Sequence, residues 1–266
     1  MTAITQHAYC DADRPLSNRP PPGDRRTRQA SVIAGISLLL MAALAGFGYL
    51  VAVEGLVTYD DANENAASIL ESSGLFAAGI VSLFIVIALD VVVAWALYHV
   101  FVPVHRTWSA VAAWIRVTYA AIFAVAVAQL VGVLLLLTRA GTGEPHPRNA
   151  EALAGVNTFA DIYDAGLLLF GLHLLVIGWM SVKAGYVPTW LGVLVLVAGS
   201  GYIADSLGTF LSRGSWTDVS TFTFVGEFLL ALWLLICGRK ITFDQGVEPE
   251  GSERGNSRAE VARARP

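Results

Sequence analysis

Six long apolar stretches, separated by short polar segments, dominate the hydrophobic pattern of the chain. They run over about residues 30–53, 75–102, 110–138, 161–182, 189–211 and 218–238. Crossing the hydrocarbon core as a helix takes about 20 consecutive apolar residues, and the stretches lack the alternation of barrel strands. Because hydrocarbon offers no partners for unpaired backbone groups, the pattern predicts an all-α polytopic membrane helix bundle with about six transmembrane helices.

Lysine and arginine are distributed unevenly between the two sides of this predicted bundle. Both tails are rich in arginine, whereas the loop over 54–74 has five carboxylates and no basic residue. With both tails inside, 13 basic residues face the cytoplasm and about 3 face outward. Since cytoplasmic segments carry the excess of Lys and Arg, the sequence predicts cytoplasmic N- and C-termini and a location in the cell (plasma) membrane.

Composition supports a membrane class and a simple domain organisation. The chain is 55% hydrophobic and 14% charged, whereas soluble domains are about 45–50% apolar and about 25% charged. Residues 1–29 and 239–266 are predicted to be disordered cytoplasmic tails, the first of them basic, around a transmembrane domain over 30–238. The net charge of −4 predicts no nucleic-acid partner. The lipid bilayer is the expected partner, while a small-molecule or protein partner and the oligomeric state stay open.

Five ionisable residues interrupt the apolar stretches: Asp90, Arg116, His173, Asp205 and Glu227. A charge at mid-bilayer costs roughly 2.5–3.5 kcal/mol, so such residues face the bundle interior and pair with one another. The predicted span boundaries put Asp90, His173 and Glu227 near the bilayer centre. They put Asp205 toward the outside and Arg116 toward the inside, with a depth offset of roughly 9 Å from Asp90 at about 1.5 Å per residue.

Helical spacing suggests which faces these polar residues occupy. In the third stretch small residues recur every four positions around the arginine, which predicts a close helix–helix contact there. The members of that row are Ala112, Arg116, Ala120, Ala124, Ala128 and Gly132. In the fifth stretch one face carries Ala198, Gly201, Asp205 and Gly208. We therefore expect an Asp90–Arg116 pair, and we expect His173 to meet Asp205 or Glu227.

The chemistry of these residues leaves three functional hypotheses. The first is a protein that handles a small molecule, an ion or a proton through the intramembrane polar cluster. The second is a structural or regulatory membrane protein in which buried pairs only fix helix register. The third is an intramembrane enzyme that uses His173 and a carboxylate. Asp161 and Asp164 are interpreted as N-terminal charges of the fourth helix. Phosphate-loop, zinc-protease and CxxC motifs are absent from the sequence, so no cofactor, metal site or catalytic residue is predicted.

Two regions of the sequence resemble a known family. The first comprises residues 170–175 and 185–188, Leu191-Gly192, Ala198-Gly199, and Gly201-Tyr202 leading to Asp205. The second comprises residues 90–98, Pro103-Val104 and Trp114 followed by Arg116. In order and type these residues are similar to the bacterial and archaeal membrane proteins of domain-of-unknown-function family 4386. The resemblance covers about residues 30–238 and implies a six-helix membrane domain.

Overall fold

A computed structural model describes residues 22–57, 61–139, 145–212 and 225–240, and within these ranges it contains helices and no strands. The helices are α1 (Pro22–Ala45), α2 (Ala62–Glu71), α3 (Ser73–Phe101), α4 (Arg106–Thr138), α5 (Pro145–Lys183), α6 (Thr189–Leu211) and α7 (Val225–Ile236). A π-helical turn over Gly46–Val51 extends α1, and a 3₁₀ turn over Gly238–Lys240 follows α7. Five helices, α1 and α3 to α6, are long and apolar enough to cross a bilayer, and α7 is apolar but shorter.

Five of the six predicted spans are confirmed as helices long and apolar enough to cross a bilayer, although α1 and α5 begin well before the apolar pattern indicates. α1 begins at Pro22 rather than near Ala30, and α5 begins at Pro145 rather than near Asp161. The interpretation of Asp161 and Asp164 as N-terminal charges of α5 is therefore wrong, because both lie well inside that helix. Hydrophobicity marks only the part of a helix that meets lipid, and it cannot report the polar turns beyond it.

The last predicted span is described only in part. α7 has 12 residues, which at about 1.5 Å per residue make about 18 Å of helix. That length is less than the roughly 30 Å hydrocarbon core of a bilayer. Residues 218–224, which the hydrophobic pattern assigns to the same span, lie outside the described residues.

The six apolar helices pack in a ring. α1 packs against α3, α3 against α4, α4 against α5 and α5 against α6. α7 contacts both α6 and α1 and so closes the ring. Each helix therefore has two main neighbours, one face toward the interior of the ring and one face toward lipid.

Buried positions in α3 and α4 follow a seven-residue repeat. In α3 they include Phe76, Gly79, Leu83, Val86, Asp90, Val93, Leu97 and Val100. In α4 they include Ala112, Arg116, Tyr119, Phe123, Ala126, Leu130, Val133 and Leu137. Steps of three and four alternate, which is the 3.5-residue period of helices that pack with a left-handed crossing. Asp90 and Arg116 each take one of these core positions.

This repeat corrects the four-residue row predicted for α4. Ala112, Arg116 and Ala120 are buried as predicted, but Ala128 and Gly132 are exposed. Four residues turn an α-helix by about 400°, so each step of the row moves about 40° around the helix. The row therefore leaves the interface after two or three steps, and larger side chains replace it there.

Paired glycines bring α5 and α6 into close contact. A Cβ atom added to Gly171 would lie 2.7 Å from the carbonyl oxygen of Gly199, and one on Gly199 would lie 2.8 Å from that of Gly171. Seven residues away on each helix, or about two turns, Gly178 and Gly192 form a second pair, with Cβ–oxygen distances of 3.0 and 3.1 Å. Without side chains at these positions the two backbones approach directly, as in other membrane helix pairs.

A polar region extends beyond the membrane at one end of the bundle. α5 has 39 residues, or about 58 Å of helix, so its first turns project past the hydrocarbon core and pack against α2. Asp61 caps α2 by accepting hydrogen bonds from the backbone N–H groups of Asn63 (2.8 Å) and Glu64 (3.1 Å). The side-chain amide nitrogen of Asn149 in α5 donates a hydrogen bond of 2.9 Å to the side-chain oxygen Oδ1 of Asn63. The acidic loop predicted over 54–74 thus contains a helix.

The opposite end of the bundle, which we call the basic end, holds the start of α1, the α3–α4 and α5–α6 turns and the end of α7. Tyr186 of the α5–α6 turn donates its hydroxyl hydrogen to the Val100 carbonyl oxygen at 2.6 Å. Burial raises the pKa of the Tyr186 hydroxyl well above its ordinary value, so the group stays protonated and keeps donating. This bond ties the two turns together.

Candidate functional site: a buried polar layer at mid-membrane

Four of the five intramembrane ionisable residues lie at one depth. Asp90, Arg116, His173 and Glu227 lie 11, 10, 10 and 9 residues from the basic ends of α3, α4, α5 and α7. At about 1.5 Å per residue this is about 15 Å, half the thickness of the hydrocarbon core. Asp205 lies 16 residues along α6 from that end, so it is about 9 Å farther from the basic end than the other four residues.

Asp90 and Arg116 form the predicted ion pair. Arg116 Nε donates a hydrogen bond of 2.9 Å to Asp90 Oδ1, and Arg116 Nη2 lies 2.8 Å from the same oxygen. Both side chains are 1% exposed. The offset of roughly 9 Å expected from the sequence is wrong, because the α3–α4 turn is short and the two residues are nearly equidistant from it.

His173 completes a buried triad with this pair, and its contacts define its tautomer. His173 Nδ1 lies 2.9 Å from the carbonyl oxygen of Ala112. A carbonyl oxygen can only accept, so Nδ1 carries the hydrogen and Nε2 accepts from Arg116 Nη1 at 3.2 Å. The expectation that His173 meets Asp205 or Glu227 is wrong, because both ring nitrogens have other partners.

Two atoms of the triad have incomplete hydrogen bonding. Asp90 Oδ2 is buried without a hydrogen-bond partner, and Arg116 Nη2 touches Asp90 without hydrogen-bond alignment. A buried unsatisfied polar atom costs about 1–3 kcal/mol, more when it is charged. The triad therefore retains one strong acceptor position beside the charged pair, which a proton or a bound group could use.

Aromatic rings, which the charge pattern of the sequence does not predict as part of the site, enclose the triad on the side away from the basic end. The Phe170 ring lies 5.3 Å from Arg116 Cζ, in cation–π contact. Its centroid is 4.9 Å from that of Tyr119 and 5.1 Å from that of Tyr202. The signal available in the sequence was helical spacing, since Phe170 precedes His173 by three residues and Tyr119 follows Arg116 by three.

Glu227 approaches the layer from α7 and adjoins a small cavity. Its carboxyl group hydrogen-bonds with the Tyr202 hydroxyl of α6, and it lies within electrostatic range of Arg116 and Asp90. Glu227 and Tyr202 line a cavity of about 160 Å³ whose other walls are Leu38, Ala42, Phe228 and Ala231. The cavity lies between α1, α6 and α7, where the short helix closes the ring.

Asp205 is buried, 4% exposed, three residues beyond Tyr202 on α6. Its carboxylate acts electrostatically on the Tyr202 hydroxyl. The face predicted to carry it is confirmed, since Ala198, Gly201, Asp205 and Gly208 are all buried. Asp205 thus interacts electrostatically with the polar layer through Tyr202.

The contacts of His173 bear on the hypothesis of an intramembrane enzyme. The imidazole is fully buried, and the atoms that hold it are an arginine nitrogen and a backbone carbonyl oxygen. A histidine base oriented by a carboxylate would need a different arrangement. Within the described ranges, no group of three or more His, Cys, Asp or Glu side chains is placed to hold a metal ion.

A ring of long apolar helices around a mid-membrane polar layer defines a multi-pass helical membrane protein. The family model described as "Domain of unknown function (DUF4386)" matches residues 33–238, and the chain belongs to that family. An uncharacterised protein from Archaeoglobus fulgidus is 37% identical over 163 residues, which cover 61% of this chain and 85% of the relative. No solved structure matches the chain.

Proposed function

We propose that this protein handles protons within the membrane, with Asp90 and Glu227 sharing Arg116 as their counter-ion. The observation that carries the proposal is the buried Asp90–Arg116–His173 triad, in which Asp90 Oδ2 has no hydrogen-bond partner. The tautomer derived for His173 is neutral. Two carboxyl groups and one guanidinium then remain in the layer, and a net negative charge at this depth is costly. A single proton bound to one of the two carboxyl groups brings the net charge of the layer to zero.

The geometry suggests how that proton would be exchanged. With Asp90 ionised and paired to Arg116, the proton resides on Glu227, which adjoins the cavity between α1, α6 and α7. A proton that arrives on Asp90 would release Arg116, and Glu227 would then give its own proton to the adjoining cavity and pair with Arg116 as a carboxylate. Arg116 already acts electrostatically on Glu227. Chains of ionisable side chains within the membrane form the proton relays of pumps and transporters.

Infrared spectroscopy tests the proton on Glu227 without knowledge of any transported substrate. In bilayers near neutral pH, we expect a carbonyl-stretch band of a protonated carboxylic acid that is lost in Glu227→Gln. The matched control is Glu151→Gln, which removes an exposed glutamate from the projecting start of α5 and should leave the band unchanged. A band that survives in Glu227→Gln contradicts the proposal.

Proton movement is tested in proteoliposomes that contain a pH-sensitive dye. Under an imposed membrane potential, wild-type vesicles should acidify faster than empty vesicles, and Glu227→Gln should reduce the rate at least tenfold while Glu151→Gln does not. Wild-type vesicles that acidify no faster than empty ones, together with a normal infrared band, would favour the structural or regulatory hypothesis. The layer would then hold a proton only to fix helix register.

A further inference from the structure

A second site lies at the basic end of the bundle, on its outer surface. The start of α1, the end of α3 and the first turn of α4 enclose a cleft of about 420 Å³. Arg26 of α1 and Arg106 of α4 line it and are both exposed, and His99 of α3 also lines it. The walls are completed by Thr27, Tyr98, Val102 and Pro103. Two guanidinium groups around a partly apolar cleft are suited to a phosphate group.

An apolar groove adjoins this cleft along the surface of the bundle. It has a volume of about 390 Å³, lies between α3 and α4, and shares Tyr98 with the cleft. Trp95 and Trp114 line it and are 51% and 73% exposed. The remaining lining residues are alanines and valines, and the groove lies on transmembrane parts of both helices, where lipid chains are the solvent.

Aromatic contacts connect the two parts at the depth where headgroup meets hydrocarbon. The His99 ring packs edge-on against Trp95, with centroids 4.9 Å apart, and against Tyr98, with centroids 5.1 Å apart. Tryptophan and tyrosine favour this interfacial depth. A ligand that fills both parts therefore needs an anionic phosphate head and an attached hydrocarbon chain.

We propose that the cleft and groove together form a binding site for one anionic phospholipid molecule, with its phosphate between Arg26 and Arg106 and one acyl chain along the α3–α4 groove. Basic pockets between membrane helices on the cytoplasmic side bind lipid headgroups in this way. With the orientation predicted from the Lys and Arg distribution, the site faces the inner leaflet. The proposal is independent of the function proposed for the mid-membrane layer.

Native mass spectrometry of the full chain tests the site directly. The protein is released from nanodiscs containing phosphatidylglycerol and phosphatidylcholine with identical acyl chains. We expect wild type to retain phosphatidylglycerol preferentially and Arg26→Gln/Arg106→Gln to lose that preference. Each arginine near an anionic lipid contributes about 1 kcal/mol to binding. Loss of both arginines therefore corresponds to a decrease of roughly 25-fold in the preference for phosphatidylglycerol.

The control separates a built site from general attraction to a charged surface. Arg25→Gln/Lys183→Gln removes two exposed charges from the same end without touching the cleft, and it should keep the preference. Equal loss in both double variants, or a preference that survives in Arg26→Gln/Arg106→Gln, overturns the proposal. If the glutamine variant does not fold, Arg26→Lys/Arg106→Lys keeps the charges but lacks the planar fork. It should lose part of the preference, and a full wild-type preference overturns the proposal.

A final comparison distinguishes a lipid from free phosphate. The thermal unfolding temperature of wild type in neutral detergent should rise with added phosphatidylglycerol and stay unchanged with inorganic phosphate. Stabilisation by inorganic phosphate equal to that by the lipid would show that the groove contributes nothing, which contradicts a lipid site.

Discussion

Arg116 joins three other side chains of the buried layer through its charge and its hydrogen bonds. It bonds to Asp90, donates to the His173 ring and packs over Phe170. The sequence predicted the first of these contacts, because an arginine side chain is long enough to reach an opposite charge on the adjacent helix despite the offset in depth that was expected. It did not predict the second, because charge complementarity suggested a carboxylate for His173. The neutral tautomer, held by the Ala112 carbonyl oxygen, removes that requirement.

Removing one member of the ion pair should be far more harmful than removing both. Asp90→Ala leaves Arg116 charged and unpaired in the interior, and we expect the free energy of unfolding to fall by about 3–5 kcal/mol. Asp90→Leu/Arg116→Met removes both charges and should recover most of that loss. Thermal or denaturant unfolding in detergent micelles measures the difference.

The control for these two variants is Asp161→Ala, which removes an exposed carboxylate from α5. It should change the free energy of unfolding by less than about 0.5 kcal/mol. A double variant as unstable as Asp90→Ala would mean that Arg116 is held by other contacts. In that case the ion pair would not be what stabilises the layer.

At the scale of elements, the apolar stretches predicted where helices cross the membrane but not where they begin and end. The polar first turns of α5 and the whole of α2 were missed, since both are stabilised by each other and by caps such as Asp61. The four-residue row of small residues in α4 predicted its interface near Arg116 and failed beyond Ala120. The α5–α6 contact depends instead on glycines whose pairing only the three-dimensional arrangement reveals.

The glycine pairs lead to a prediction about the α5–α6 contact. In Gly171→Ala the new methyl group meets the Gly199 carbonyl oxygen and the Ile203 backbone nitrogen, at 2.7 and 3.1 Å. Backbone atoms cannot move aside cheaply, so we expect a loss of about 1–3 kcal/mol in the free energy of unfolding. Thermal unfolding in detergent, monitored by circular dichroism, measures it.

Gly132→Ala is the matched control for this change. A methyl group there meets no atom within 4 Å, and alanine is favoured over glycine within a helix by up to about 1 kcal/mol. This variant should be as stable as wild type or more so. Equal destabilisation by both substitutions would argue that helix propensity, and not close packing of α5 on α6, accounts for the effect.

At the scale of the whole molecule, the ring of helices has two chemically different ends. Arg25, Arg26, Arg106 and Lys183 lie at the basic end, while Asp61 and Glu64 of the opposite end are part of the region where α2 packs on α5. The predicted orientation places the basic end in the cytoplasm. Charge counting along the sequence could predict this asymmetry because it needs only the order of spans and not their packing.

Labelling with a membrane-impermeant maleimide measures that orientation. With Cys10 and Cys237 replaced by serine, Ala67→Cys on α2 should react in intact cells. Thr107→Cys, beside the α3–α4 turn, should react only after the membrane is permeabilised. Both positions are exposed in the structure, so a reversed pattern would show that the chain is inserted the other way round.

The position of the Asp90–Arg116 pair also has a consequence for biosynthesis. The two residues are 26 positions apart, so at about 5–20 residues per second the ribosome delivers the arginine roughly one to five seconds after the aspartate. During that interval the third helix alone would carry an uncompensated charge into lipid. We therefore expect α3 and α4 to leave the insertion machinery together as a hairpin. Arg116 would then pair with Asp90 before either charge enters the lipid.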